Sequence, residues 1–186
     1  MTLEDERKLV EQAKSDPEAF GRLYDDNYSK IYGYILKRVA SVDIAQDITA
    51  ETFIKALKNI GKFKWQNISF SYWLYRISAN EIATFYRKKK VTVSLDFITE
   101  PNSGRDILND IVVAQKELEN HRDFMEIKKQ ITKLSIKYQE VIALRFFENM
   151  AINEIGKVLN KKEGTIKSLL HRGLEQLRKL MPPNAD

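Results

Sequence analysis

Lys167, Ser168, His171 and Arg172 lie near the C-terminus at spacings of one and four, so a helix there would carry them on one face. Two cations, a hydroxyl and an imidazole are groups that reach base edges and phosphates of duplex DNA. Lys161, Lys162, Arg178 and Lys179 flank them as candidate phosphate contacts. A second constellation, FKWQNISFSYWLYRISANEIATFYRKKK, joins dense aromatic residues to a basic end. Single-stranded nucleic acid is held by that combination, with bases on rings and phosphates on cations. Tyr72, Arg76 and Asn80 recur every four residues toward Arg87 and Lys88, with Trp65 just upstream. The Asn80 carboxamide donates and accepts, as reading the edge of an unstacked base requires. A third group, Asp47, Glu51, Ile54 and Lys58, places an isoleucine among charged neighbours, a pattern suited to a protein partner. Each group also has a plainer reading: a solvated helix face, core aromatics, or an acidic face with one tolerated apolar residue.

Helices must position all three. Glycine and proline are scarce, and apolar residues recur at three and four, so the chain is expected to be all-α. Asp16-Pro17 supplies a helix cap and first residue. Asp43 begins DIAQDITAETFIKALKNI, whose inward side is Ala45, Ile48, Phe53, Ala56 and Ile60, and Gly61 falls where a C-terminal cap belongs. Ser69 or Ser71 opens the aromatic helix, with Phe70, Trp73, Leu74 and Ile77 as its core side. After Lys90 the pattern breaks, and Pro101, Asn102, Ser103 and Gly104 mark a linker. The expected organisation is a domain over 1–90, a flexible linker over 91–106 and a second domain over 107–186. In the second, a helix runs from Ile107, Ser135 caps IKYQEVIALRFF, and AINEIGKVL precedes a helix from about Lys162 to Leu180 that Pro182-Pro183 ends. Ile152, Ile155 and Leu159 on one helix and Ile166, Leu170, Leu174 and Leu177 on the next form facing apolar sides across a short turn. That is a helix-turn-helix, with Gly156 permitting a close crossing.

The formal charge of +5 and pI near 9.2 favour an anionic partner. Cysteine is absent, which removes disulfides, thiolate catalysis and cysteine-zinc sites. His171 and His121 stand far apart, so no metal ligand set forms, and no phosphate-loop or HExxH motif occurs. The residues therefore call for no enzyme activity, cofactor, metal or small-molecule substrate. The polar, acidic start MTLEDERKLVEQ and the lack of a long apolar run point to a cytoplasmic protein. A stand-alone helix-turn-helix regulator and an enzyme with an unrecognised carboxylate site are the rivals; the former leaves Asn80 and the Asp47 face unexplained.

In order, these segments resemble the extracytoplasmic-function group of the sigma-70 family, over roughly residues 18–90 and 107–180. DNYSKIYGYILKRV, DIAQDITAETFIKAL and SFSYWLYRISAN are similar to its region 2; YQEVIALRFFENMAINEIGKVL and EGTIKSLLHRGLEQLRK are similar to its region 4. The resemblance implies a region 2 bundle and a region 4 helix-turn-helix. It implies that Asp47, Glu51, Thr52 and Phe53, with Ile54, dock on the beta prime clamp helices of RNA polymerase core. Asn80 and the loop from Lys62 to Ser69 would capture an extruded base of the promoter −10 element, aided by Arg76, Tyr72, Trp65, Arg87 and Lys88. Lys167, Ser168, His171 and Arg172 would read the −35 duplex, with Lys162 on a phosphate, and region 4 would meet the beta flap. Promoter DNA, polymerase core and an anti-sigma factor are the partners implied. The sequence departs from the family at Ala151, in place of a Ser or Thr cap that Asn149 would replace, at Leu169, in place of a basic residue, and at Gly173 within the recognition helix.

Overall fold

A computed structural model describes residues 1–39, 41–65, 67–92, 127 and 130–181. Most of the expected linker, most of the helix expected from Ile107, His121 and the Pro182-Pro183 stop lie outside these residues; the end of that helix, 130–132, is helical as expected. The described elements are helices and turns, with no strand among them, as an all-α chain requires. The chain divides into two compact units, Met1–Pro101 and Asn102–Asp186.

The N-terminal unit holds α1 (Leu3–Gln12), α2 (Pro17–Val39), α3 (Val42–Asn59), a 3-10 turn (Ile60–Lys62) and α4 (Phe70–Thr92). Asp16 caps α2 as its type predicts, its carboxylate accepting the Glu18 N–H at 2.9 Å. Helix α3 starts one residue before Asp43, from Ser41. Gly61 is not a left-handed cap: the helix tightens into the 3-10 turn, and the Phe63 N–H returns to the Ile60 carbonyl at 3.0 Å.

The core of this unit is built on the inward sides of its three long helices. Leu23, Ile31, Tyr34 and Ile35 of α2 meet Ala45 and Ala56 of α3 and Phe70, Leu74 and Ile82 of α4, all fully buried. Three polar side chains on these helices are buried with their hydrogen bonds returned to their own helix. Thr49 and Thr52 donate to the carbonyls of Ala45 (2.6 Å) and Ile48 (2.7 Å), and Asn27 donates to Leu23 (2.8 Å). Thr52 is therefore corrected as a polymerase-contact residue. With 0% exposure and its hydroxyl committed to Ile48, it supports α3 from inside. Phe53 is core as well, its ring 4.6 Å from Tyr24.

Helix α1 was not expected, although its signal is present. Thr2 and Asp5 form a capping box, with the Asp5 N–H on Thr2 Oγ1 at 3.1 Å and the Thr2 N–H on the Asp5 carboxylate at 3.3 Å. The Thr2 hydroxyl, donating to the Asp5 carboxylate at 2.7 Å, and after it the Thr2 N–H hold the Asp5 carboxyl below its ordinary value. Leu9 and Val10 bury the helix against α2.

The C-terminal unit holds α5 (Ile136–Ile142), a π-helical turn (Ala143–Phe147), α6 (Ile152–Leu159) and α7 (Glu163–Leu180). The single helix expected over IKYQEVIALRFF is thus interrupted. The wider turn, closed by the Glu148 N–H on the Ala143 carbonyl at 3.2 Å, puts both Ala143 and Leu144 in the core. Arg145 fixes its exit by donating to the Met150 carbonyl at 2.9 Å.

At the end of α2, the Tyr86 hydroxyl of α4 donates to the Arg38 carbonyl at 2.8 Å, a group left over by the helix ladder. Burial pushes the Tyr86 phenol up, against the opposing pull of the Arg38 charge. Tyr86→Phe is expected to destabilise the N-terminal unit by about 1 kcal/mol in urea denaturation; unchanged stability would show that water serves this carbonyl equally well.

Candidate nucleic-acid and partner interfaces

Helix α6 ends on Asn160, whose φ of 52° and ψ of 50° are left-handed. The Lys161 N–H then reaches the Gly156 carbonyl at 2.9 Å, and α7 begins at Glu163. The two helices are joined by three residues, as a helix-turn-helix requires. Gly156 is needed for a reason other than the one expected. A Cβ there would lie 2.8 Å from the Lys161 carbonyl oxygen, so the turn, and not the partner helix, excludes a side chain. Close helix crossing occurs instead at Gly173, where a Cβ would sit 3.2 Å from Ile142 Cδ1 and Tyr138 Cβ. The glycine that weakens α7 by propensity lets α7 lie against α5.

The buried stripe of α7 is accordingly Ile166, Leu170 and Gly173, with Leu177 half-buried. Leu174, expected on that stripe, is turned outward at 40% exposure. On α6 the buried residues are Ile155, Gly156 and Val158, while Ile152 and Leu159 are half-buried. The α6 start is held without a Ser or Thr: the Glu154 carboxylate accepts the Ala151 N–H at 2.7 Å. Asn149 does not replace the cap, having φ of 52° in the preceding turn.

With its stripe buried, α7 presents Lys167, Ser168, His171 and Arg172 to solvent together, one turn from exposed Lys161 and Lys162. The Ser168 hydroxyl donates to the Gly164 carbonyl at 2.9 Å and keeps its lone pairs outward. No side chain caps the first turn of α7, and Lys162 precedes it directly. Exposed backbone N–H groups beside two lysines form an anion-attracting end. Lys179 is paired with Glu175 at 3.2 Å, which offsets part of its charge toward any phosphate.

In the N-terminal unit, α4 buries Phe70, Leu74, Tyr75, Ser78, Ala79 and Ile82. Trp73 and Ile77, expected in the core, are half-buried at its edge. The opposite stripe leaves Arg76, Asn80, Arg87 and Lys88 exposed, with Tyr72 half-buried. Before α4 the chain forms an aromatic loop. Phe63 packs on Trp73 (ring centroids 4.8 Å) and Phe70 (5.6 Å), and Trp65 lies edge-on to Phe63 at 6.4 Å. Trp65 Nε1 donates to the Asn67 carboxamide at 3.2 Å, and Asn67 takes a left-handed φ of 54°.

On α3, Asp47, Glu51, Ile54 and Lys58 share an exposed face, with Ile54 at 44% exposure. Lys55, not singled out in the sequence, bridges Glu51 (3.3 Å) and Glu81 of α4 (2.6 Å), the residue after Asn80. The Glu81 bond first, then that to Glu51, hold the Lys55 ammonium above its ordinary value. Its signal was the i,i+4 pair with Glu51; the Glu81 half depends on how α3 packs on α4. Among the described residues no cluster of His, Asp or Glu could hold a metal, and no helix is long and apolar enough to cross a membrane.

The C-terminal unit is a helix-turn-helix with a basic outer face, and the N-terminal unit a helical bundle with an aromatic loop before α4. Residues 23–92 match Sigma-70 region 2 and residues 131–179 match Sigma-70, region 4. The ECF RNA polymerase sigma factor SigW of Bacillus subtilis (strain 168) is 36% identical over 182 residues, spanning 93% of this chain and 94% of SigW. The ECF RNA polymerase sigma factor BldN of Streptomyces coelicolor is 33% identical over 181 residues, spanning 96% of this chain and 66% of BldN. The structure of CnrH in complex with the cytosolic domain of CnrY shares the fold, with a TM-score of 0.66 at 21% identity over 94% of this chain and 96% of CnrH. The chain belongs to the sigma-70 family of RNA polymerase sigma factors, in its extracytoplasmic-function group.

Gly156→Ala is expected to destabilise the C-terminal unit by roughly 1–3 kcal/mol, because the carbonyl it would strike is backbone and cannot rotate away. Thermal unfolding at or above the native midpoint would show that the turn relaxes freely.

Proposed function

We propose that the exposed stripe of α4 and the aromatic loop before it capture single-stranded −10 DNA, while α7 reads the −35 duplex. As a sigma factor the chain directs promoter-specific initiation by RNA polymerase core. The reading of sites rests above all on one observation: α4 turns Arg76, Asn80, Arg87 and Lys88 outward together, while its other side is locked in the core. Asn80 supplies base-edge recognition, Trp65 and Tyr72 stacking, and the cations phosphate contacts. Binding of this kind favours opening only by being stronger for melted than for paired DNA.

On α7, Lys167, Ser168, His171 and Arg172 face the major groove, and Lys162 with the free N–H groups of the first turn takes a phosphate. The face of Asp47, Glu51 and Ile54 docks on the beta prime clamp helices of polymerase, charge giving orientation and Ile54 burial. Region 4 meets the beta flap. CnrH was solved with the cytosolic domain of CnrY, and an anti-sigma factor is proposed as a partner of this chain too. The chain acts in the cytoplasm and carries no catalytic residue or cofactor; nucleotide addition belongs to the polymerase.

The testing experiment is run-off transcription from a genomic promoter library by purified core, with and without the protein. A small promoter set that fires only with it is expected; no stimulation, with a duplex gel shift by the protein alone, would favour a stand-alone regulator. Within the active system, Asn80→Ala should preserve core association and lose about tenfold or more in opening. Asp47→Lys with Glu51→Lys should weaken core association, whereas Thr52→Val should leave it within about twofold, since a buried threonine makes no intermolecular contact. Core affinity that falls for Thr52→Val but not for the double variant would reverse the assignment of that face.

A further inference from the structure

The aromatic loop is anchored at its far end by a residue 63 positions away. Glu6 of α1 is buried, with 7% exposure, and one carboxylate oxygen receives two donors: Ser69 Oγ at 2.9 Å and the Phe70 N–H at 3.1 Å. Ser69 Oγ in turn lies 2.9 Å from Ser71 Oγ and accepts the Ser71 N–H at 3.3 Å. The junction between loop and α4 is thus closed around a carboxylate delivered by another helix. Burial alone would favour an apolar side chain here. A carboxylate is explained by the unpaired N–H groups and positive end of α4, where a negative acceptor is most favourable.

We infer that Glu6 is a positioning residue for strand capture: through Ser69 and Phe70 it fixes both the end of the loop that carries Trp65 and the start of the helix that carries Asn80. The inference rests on the capture role proposed above for that loop and for Asn80. The other end of the loop is already fixed, by the Phe63 N–H on the Ile60 carbonyl at 3.0 Å and by the Phe63 ring on Trp73. Between the two anchors, Trp65 and Asn67 are bonded mainly to each other. Their placement relative to Asn80 therefore depends on both ends, and Glu6 sets one of them. Helix α1 is held in place by buried Leu9 and Val10, with buried Ala13 just beyond its end, so the carboxylate is separable from the packing of the helix.

The test uses holoenzyme assembled from polymerase core and full-length variants, with a fluorescent single-stranded oligonucleotide of the non-template −10 sequence from a promoter that the protein activates. Glu6→Ala is expected to weaken oligonucleotide affinity about tenfold, the equivalent of one charge-assisted hydrogen bond, with core association unchanged. Glu6→Gln, whose amide oxygen still accepts both donors, should restore affinity to within about threefold of the native protein. Ser69→Ala, which leaves α1 intact, should lose about threefold and covers the case in which Glu6→Ala does not fold. Native oligonucleotide affinity for Ser69→Ala and Glu6→Ala, with a clear loss for Asn80→Ala, would overturn the role of Glu6 alone. Native affinity for Asn80→Ala would overturn the capture reading beneath it. Equal losses of oligonucleotide binding and core association by Glu6→Ala would reduce Glu6 to a general stabilising residue and also overturn the inference.

Discussion

The burial of one side of α4 is the constraint on which the N-terminal unit depends. Phe70, Leu74 and Ile82 are fully enclosed by α2 and α3, so the rotation of α4 about its own axis is set by apolar packing. At 3.6 residues per turn, that rotation leaves Arg76, Asn80, Arg87 and Lys88 no direction but outward. The proposed DNA-facing chemistry is therefore held by groups that never touch DNA. The polar residues Ser78 and Thr52, at 0% exposure, do not disturb the arrangement because each hydroxyl returns its proton to its own helix. Removing that internal satisfaction would cost about as much as an ordinary core cavity, since a buried hydroxyl without a partner is poorly tolerated.

In the C-terminal unit, two short helices and a helix of 18 residues among the described residues fix the face of α7. Backbone does much of this. The left-handed Asn160 and the carbonyl-packed Gly156 set the angle of entry, and Gly173 lets α7 approach α5 more closely than an alanine would. The π-helical turn after α5 adds a residue that aims Ala143 and Leu144 inward together. Three local backbone devices thus help to set the direction of α7.

Much of this was legible in the sequence because it is written in period and punctuation. The 3.6-residue patterns of α2, α3 and α4, the Asp16 cap and the short turn before α7 are local signals. What was misread depended on contacts between elements. Leu174 fits the apolar pattern of α7 as well as Gly173 does, and only the position of α5 decides that the glycine faces inward. Gly156 was identified as necessary but for the wrong neighbour, since a turn carbonyl and a crossing helix make the same demand for a missing side chain. Thr52 followed the family motif into the docking face, although its place on α3 is between buried Ile48 and Ala56. Helix α1 is faint in the sequence because Thr2 and Asp5 are a weak signal before only two buried apolar residues, Leu9 and Val10. The Glu6 bond to Ser69 and Phe70 spans more than sixty residues, beyond any local reading.

Charge supplies the remaining step. A chain of net charge +5 repels cationic surfaces as a whole, so an acidic face such as Asp47 and Glu51 must act at short range, where it outweighs the distant lysines. Screening makes this workable, because at physiological salt charges beyond about 8 Å contribute little. Lys55 sits between Glu51 and Glu81 and partly neutralises both, yet it leaves Asp47 exposed at the edge of the same face. Ion pairs this exposed are worth little on their own. A partner with closely placed cations can therefore compete for Glu51 at small cost, whereas DNA is turned away from this face by the same carboxylates. The proposed partition of DNA and polymerase between different helix faces then follows from the local sign of charge, with the overall charge setting only the rate of approach.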